Sequence, residues 1–137
     1  MNNQEWLLIK KYLLAEGETL PQYVESDPMH WNSRLYIART LQRLGKEQEA
    51  YSVMRKIYEE NIFRFDKGIH GAYEEYIIEK VKFFESLAQL SLEVTHDPAR
   101  SIPYLDEALI MLDGAESVYP YVNPTEITCL KKSYLAM

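Results

Sequence analysis

The side chains whose types and spacing could do chemistry in this sequence are two histidine–glutamate pairs. Glu93 and His96 are three residues apart and His70 and Glu74 are four apart. Either separation lets a helix present both side chains on one face, as a helix-borne metal pair requires. Together they are the nucleus that a small metal-dependent enzyme or metalloprotein would use. A di-iron bundle, however, needs two Glu-x-x-His pairs and two further glutamates, and the sequence holds no second Glu-x-x-His. His96 also precedes Asp97-Pro98, a helix-opening pair, which moves it into a turn. At a helix start, Glu74 and Glu75 are favoured by the backbone dipole without any chemistry. His30 adjoins Trp31 and reads as a loop residue. The single cysteine, Cys129, excludes an internal disulfide and a CxxC metal site. With no His or Asp close in sequence, it reads as a small buried hydrophobe. No serine lies in a G-x-S-x-G elbow, and no phosphate loop or dinucleotide fingerprint appears. The reading predicts no catalytic residue, no bound metal and no cofactor.

The composition narrows the classes further. At 137 residues the chain has the length of one domain and can bury a core without staples. Its net charge is −6, and its longest basic runs are the pairs Lys10-Lys11, Arg55-Lys56 and Lys131-Lys132. That balance argues against a nucleic-acid partner, which calls for a basic face. No apolar run approaches the roughly 20 residues needed to span a bilayer. The first residues put a basic pair inside the apolar stretch, unlike a signal peptide. The expected location is therefore cytoplasmic, with no membrane association.

The elements that would position any site follow from apolar periodicity and stop signals, which predict about seven helices and no strand. Trp6, Leu7, Ile9, Leu13 and Leu14 mark a helix over 3–15, with Lys10-Lys11 on its wet side and Gly17 as its stop. A short helix follows Thr19, with Pro21 in its first turn, and ends at Asp27-Pro28. Trp31, Leu35, Ile37, Ala38, Leu41 and Leu44 mark a helix over 31–44 that closes at Gly45; Ala50, Val53, Met54, Ile57 and Tyr58 mark the next, over 46–60. After a linker comes a long helix over 72–94, striped by Tyr73, Ile77, Val81, Phe84, Leu87, Ala88 and Leu92. Asp97 caps a helix that reaches Leu112 and stops at Gly114, and Asn123-Pro124 opens the last. Phe63, Phe65, Tyr119 and Tyr121 fall in connecting segments, where they either pin those segments down or form a contact surface.

One stretch repeats a known pattern. Arg34-x-x-Ile37-Ala38-x-x-Leu41-x-x-x-Gly45-x-x-x-x-Ala50-x-x-x-Met54-x-x-Ile57-Tyr58 resembles the tetratricopeptide repeat, a 34-residue pair of antiparallel helices. Ala38 and Ala50 stand twelve apart, as in the family, where small residues let the two helices approach closely. Phe84-x-x-Leu87-Ala88 and Ser101-x-x-x-Leu105-x-x-Ala108-Leu109 resemble a looser second copy. The copies are offset by 51 residues (Ile57 to Ala108), because a linker and a lengthened helix intervene. The resemblance implies an all-α fold of antiparallel helix pairs stacked as a short right-handed superhelix. It divides the single domain into a degenerate pair over 1–28, a repeat over 31–62, a linker over 63–71, an extended repeat over 72–112 and a capping helix over 124–136.

In this family the first helix of each pair lines a concave groove. Carried over by position, that selects Asn32, Leu35, Arg39, Gln42 and Arg43 in the first copy, and Lys82, Glu85, Gln89 and Leu92 in the second. Guanidinium and amide groups are good donors to carboxylates and to extended backbone. The resemblance therefore implies a protein-interaction module (an adaptor, scaffold or regulatory protein) whose groove holds a peptide or protein, preferably an acidic one. Two alternatives stay open: the metal-dependent enzyme centred on His70, Glu74, Glu93 and His96, and self-assembly into a homo-oligomer.

Overall fold

The computed structural model describes residues 2–60 and 72–137. Among them are seven α-helices and no strand: α1 (Asn3–Ala15), α2 (Gln22–Ser26), α3 (Trp31–Arg43), α4 (Glu47–Glu59), α5 (Ala72–Thr95), α6 (Pro98–Leu112) and α7 (Pro124–Leu135), with a 3-10 turn at Glu116–Val118. The expected all-α class is what the described residues show. No helix among them is long and apolar enough to cross a membrane. The predicted linker, with Phe63, Phe65 and His70, lies outside the described residues.

Helix ends follow from local chemistry. Asp97 and Asn123 accept hydrogen bonds from the amides of Ala99 (3.1 Å) and Thr125 (2.8 Å), each followed by a proline at the first helical position. Gly45 has φ +82°, a conformation that costs an L side chain strain. Around it the amide of Lys46 donates to Leu41 O (2.8 Å) and that of Gly45 to Gln42 O (3.1 Å). This Schellman pairing ends α3 and turns the chain in three residues onto α4.

The chain divides into two compact units, 1–62 and 63–137. In the first, α4 packs back along α3 and α2 packs on α3. Leu13, Val24, Leu35, Ile37, Ala38, Ala50, Met54 and Ile57 are all but fully buried. The Ser33 hydroxyl donates to Tyr23 O (3.2 Å), tying α3 to α2, and Lys56 donates to Glu5 (2.6 Å), tying α4 to α1. The expected stripe of α1 is only half right. Trp6 and Leu13 are buried, whereas Leu7 and Leu14 are exposed, as is Leu8. Helical spacing admits two apolar stripes here, and the one carrying the indole removes more apolar surface from water.

In the second unit α5 packs along α6, and α6 along α7. Ala88, Ser101 and Ala108 are fully buried, and the Ser101 hydroxyl donates to Ala88 O (2.7 Å). The seam of the looser copy thus also carries small residues. Tyr73, expected in the stripe of α5, is exposed, while Phe83 and Leu90, outside that stripe, are fully buried. The middle of α5 is buried on more than one side, which a single stripe does not convey. Cys129 is exposed, not buried: α7 turns Ile127 and Tyr134 inward, and Cys129 lies on neither of their turns' inner sides. Tyr119 pins its loop by donating to Leu112 O (2.9 Å), and Tyr121 is exposed.

Candidate functional site

The first-unit site residues all ride on α3, so the helix's rotation decides which are available. Asn32, Tyr36, Arg39 and Arg43 recur at intervals of four, three and four, a single line along the helix. Asn32, Arg39 and Arg43 are exposed, and Tyr36 and Gln42 are half-buried. Leu35 is buried at 1% exposure, so it belongs to the core and leaves the proposed groove. Its position in the family pattern carried it into the set, but α3 buries it with Ala38 and Leu41.

Of the two arginines on this line, Arg43 is already paired. Its Nη2 donates to Glu18 at 2.5 Å, so its charge is compensated within the molecule. Arg39 forms no ion pair among the described residues. Its neighbourhood is aromatic. Tyr23 of α2 and Tyr36 of α3 meet edge to face, with centroids 6.2 Å apart at 78°. The Tyr23 hydroxyl is pushed above its ordinary range by burial and then by Tyr36, while the Arg39 charge pulls the other way. An exposed guanidinium beside a tyrosine pair can donate to a carboxylate or carbonyl and offer ring surface to an aliphatic group. Sequence reasoning missed both tyrosines. Tyr36 could have been found from its place in the Asn32–Arg39–Arg43 line; Tyr23, on another helix, had no local signal. His30 was also missed: its Nδ1 accepts from the Asn32 amide (3.2 Å), which caps α3 and fixes the start of this face.

The second-unit residues Lys82, Glu85, Gln89 and Leu92 ride on α5. Lys82 and Gln89 are exposed, two turns apart, and Glu85 and Leu92 are half-buried. Glu85 is held above the usual carboxylate range, first by burial and then by the charge of Glu126 on α7. The same burial, with Glu85 and Glu93 nearby, raises the Tyr134 phenol. Toward α7 this face carries the carboxylates of Glu85 and Glu126.

The metal reading gains nothing from the described residues. Among them no three His, Cys, Asp or Glu side chains are grouped to hold an ion. His96 is exposed, with φ +56°, as the residue that leaves α5. Glu74 accepts from the Ser117 hydroxyl (3.3 Å). His70 lies outside the described residues, so its pairing with Glu74 is not described either. We expect purified protein, dialysed against buffer, to show no stoichiometric transition metal by elemental analysis; a retained equivalent would move the metalloprotein reading ahead.

Comparison with known protein families, with curated proteins and with solved structures finds no match to this chain.

Proposed function

We propose that this chain is a helical-repeat interaction module of tetratricopeptide type, acting in the cytoplasm. On this reading it holds an acidic peptide or protein segment against the outer face of α3. The observation that carries the reading is the arrangement of Arg39 beside the Tyr23–Tyr36 pair, exposed on a helix whose other side is locked into α4. The buried small residues Ala38 and Ala50, and the Schellman turn at Gly45, support the repeat geometry. A rigid helix that presents a cation and an aromatic ledge suits recognition better than turnover, because it offers donors and apolar contact but no nucleophile or base.

The test is capture of partners from native extract on wild-type protein, followed by affinity measurement with whichever partner is recovered. Arg39→Glu should weaken binding about fivefold, a modest effect because the exposed guanidinium works in water. Added salt should weaken the wild-type complex and not the variant's residual binding. Arg43→Glu should matter less, since it only breaks the pair with Glu18. Equal binding by wild type and Arg39→Glu would remove the α3 face from the proposal.

A further inference from the structure

The connection between α1 and α2 fixes a carboxylate against α3. α1 ends in a Schellman turn: the amide of Gly17 (φ +81°) donates to Leu14 O (3.1 Å), and that of Glu18 donates to Leu13 O (3.0 Å). Leu20, two residues on, is buried. The backbone of Glu18 is therefore held from both sides without help from its side chain. That side chain is sheltered, at 17% exposure, and its Oε1 accepts from Arg43 Nη2. The Arg43 side chain is 60% exposed. In an ordinary surface pair both side chains give up freedom to meet. Here the carboxylate is already in place and the guanidinium comes to it.

Arg39 stands one turn before Arg43 on the same line of α3, exposed and in no ion pair among the described residues. Side chains four apart on a helix are about 5–6 Å from each other at Cβ, so the two guanidinium groups could take neighbouring carboxylates of one ligand. Glu18 already fills one of the two places with the group such a ligand would bring.

We propose that Glu18 is an internal stand-in for a partner's carboxylate: it occupies Arg43, leaves the α3 face one free guanidinium, and so disfavours partners with a run of carboxylates relative to those that present one. The inference rests on the reading of the α3 face as a surface for acidic segments. It assigns that surface a regulating residue on a different element. A second carboxylate gains Arg43 only by displacing Glu18, and the pair it makes replaces one already made.

Titration of the full chain with hexaglutamate, followed by NMR at the arginine Nε–H signals, tests this. In wild type the Arg39 signal should move and the Arg43 signal should stay. In Glu18→Gln both should move, and affinity should rise about three- to fivefold, the scale of an exposed ion pair. A hexapeptide with one glutamate among serines should gain about twofold at most, since it uses one guanidinium at a time. Adding Arg43→Gln to Glu18→Gln should return hexaglutamate affinity toward that of wild type. Glu16→Gln removes the same charge from the exposed neighbouring position and should leave the Arg43 signal unmoved. Glutamine keeps the volume and the backbone bonds of Glu18, so the Glu18→Gln variant should melt close to wild type. An Arg43 signal that already moves in wild type, or an affinity unchanged by Glu18→Gln, overturns the stand-in role; a responding Arg39 then leaves the α3 face as the binding surface. An Arg39 signal that stays in both proteins removes that surface and the stand-in together.

Discussion

Arg34→Ala should destabilise the first unit by about 2–3 kcal/mol, whereas Arg34→Met should cost no more than about 1 kcal/mol. Arg34 is 6% exposed, and its Nη1 donates to Glu60 at the end of α4 across 2.7 Å. Loss of one partner of a fully buried pair costs about 3–5 kcal/mol. The Glu60 side chain is 43% exposed, so water can take over part of the lost interaction and the cost is lower. The buried Nε of Arg34 has no hydrogen-bond partner among the described residues. That donor already bears a desolvation penalty, which a methionine of similar volume removes while filling the space. Alanine removes both the pair and the volume. If the two variants melt alike, the ion pair rather than the packing dominates.

The pH dependence has a definite sign. Glu60 lies below its ordinary value of 4.5, chiefly because Arg34 donates to it, against partial burial that raises it. A depressed carboxyl contributes stability in full above its unfolded value, and that contribution disappears as pH falls through the folded one. The gap between wild type and Arg34→Ala should therefore be widest near neutrality and narrow below about pH 4.5. A gap that widens on acidification would contradict the assignment.

Arg34 also marks how far the sequence could be read. Local signals were legible wherever one residue decides the outcome: Gly45 ends α3, and Asp97 and Asn123 start α6 and α7. The periodic core of α3 and α4 was legible because each helix has one apolar stripe. What escaped depends on contacts distant in sequence. The pairing of Arg43 with Glu18 spans 25 residues and joins two elements that no spacing rule relates. The exposure of Cys129 depends on which way α7 rolls against its neighbours. Leu7 and Leu14 compete with Trp6 and Leu13 for the core, and only packing settles which stripe goes in. Of the candidate site, Arg39 was legible and its tyrosine partners were not. An aromatic on a helical stripe reads as core by default, and Tyr36 is half core and half surface.

Ala50→Leu should cost about 1–3 kcal/mol by overpacking the seam of α3 and α4. Ala50 and Ala38 have no exposed surface, and α4 turns back onto α3 after only three residues, so the helices cannot separate freely at that end. A leucine there must displace neighbouring side chains or tilt α4, and close-packed interiors resist both. The melting midpoint of the first unit should fall by several degrees. Ala15→Leu provides the comparison, since Ala15 is exposed at the end of α1 and should leave the midpoint nearly unchanged. Ala108→Leu carries the argument to the second unit. Ala108 is as buried as Ala50 and lies on the α6 side of a seam where Ser101 already bonds to the backbone of α5. It should cost a similar amount if both seams are built on small residues. An unaltered midpoint for Ala50→Leu would mean that the twelve-residue spacing of Ala38 and Ala50 constrains nothing in the packing. The resemblance to a helical repeat would then lose its physical basis, although the all-helical fold would remain.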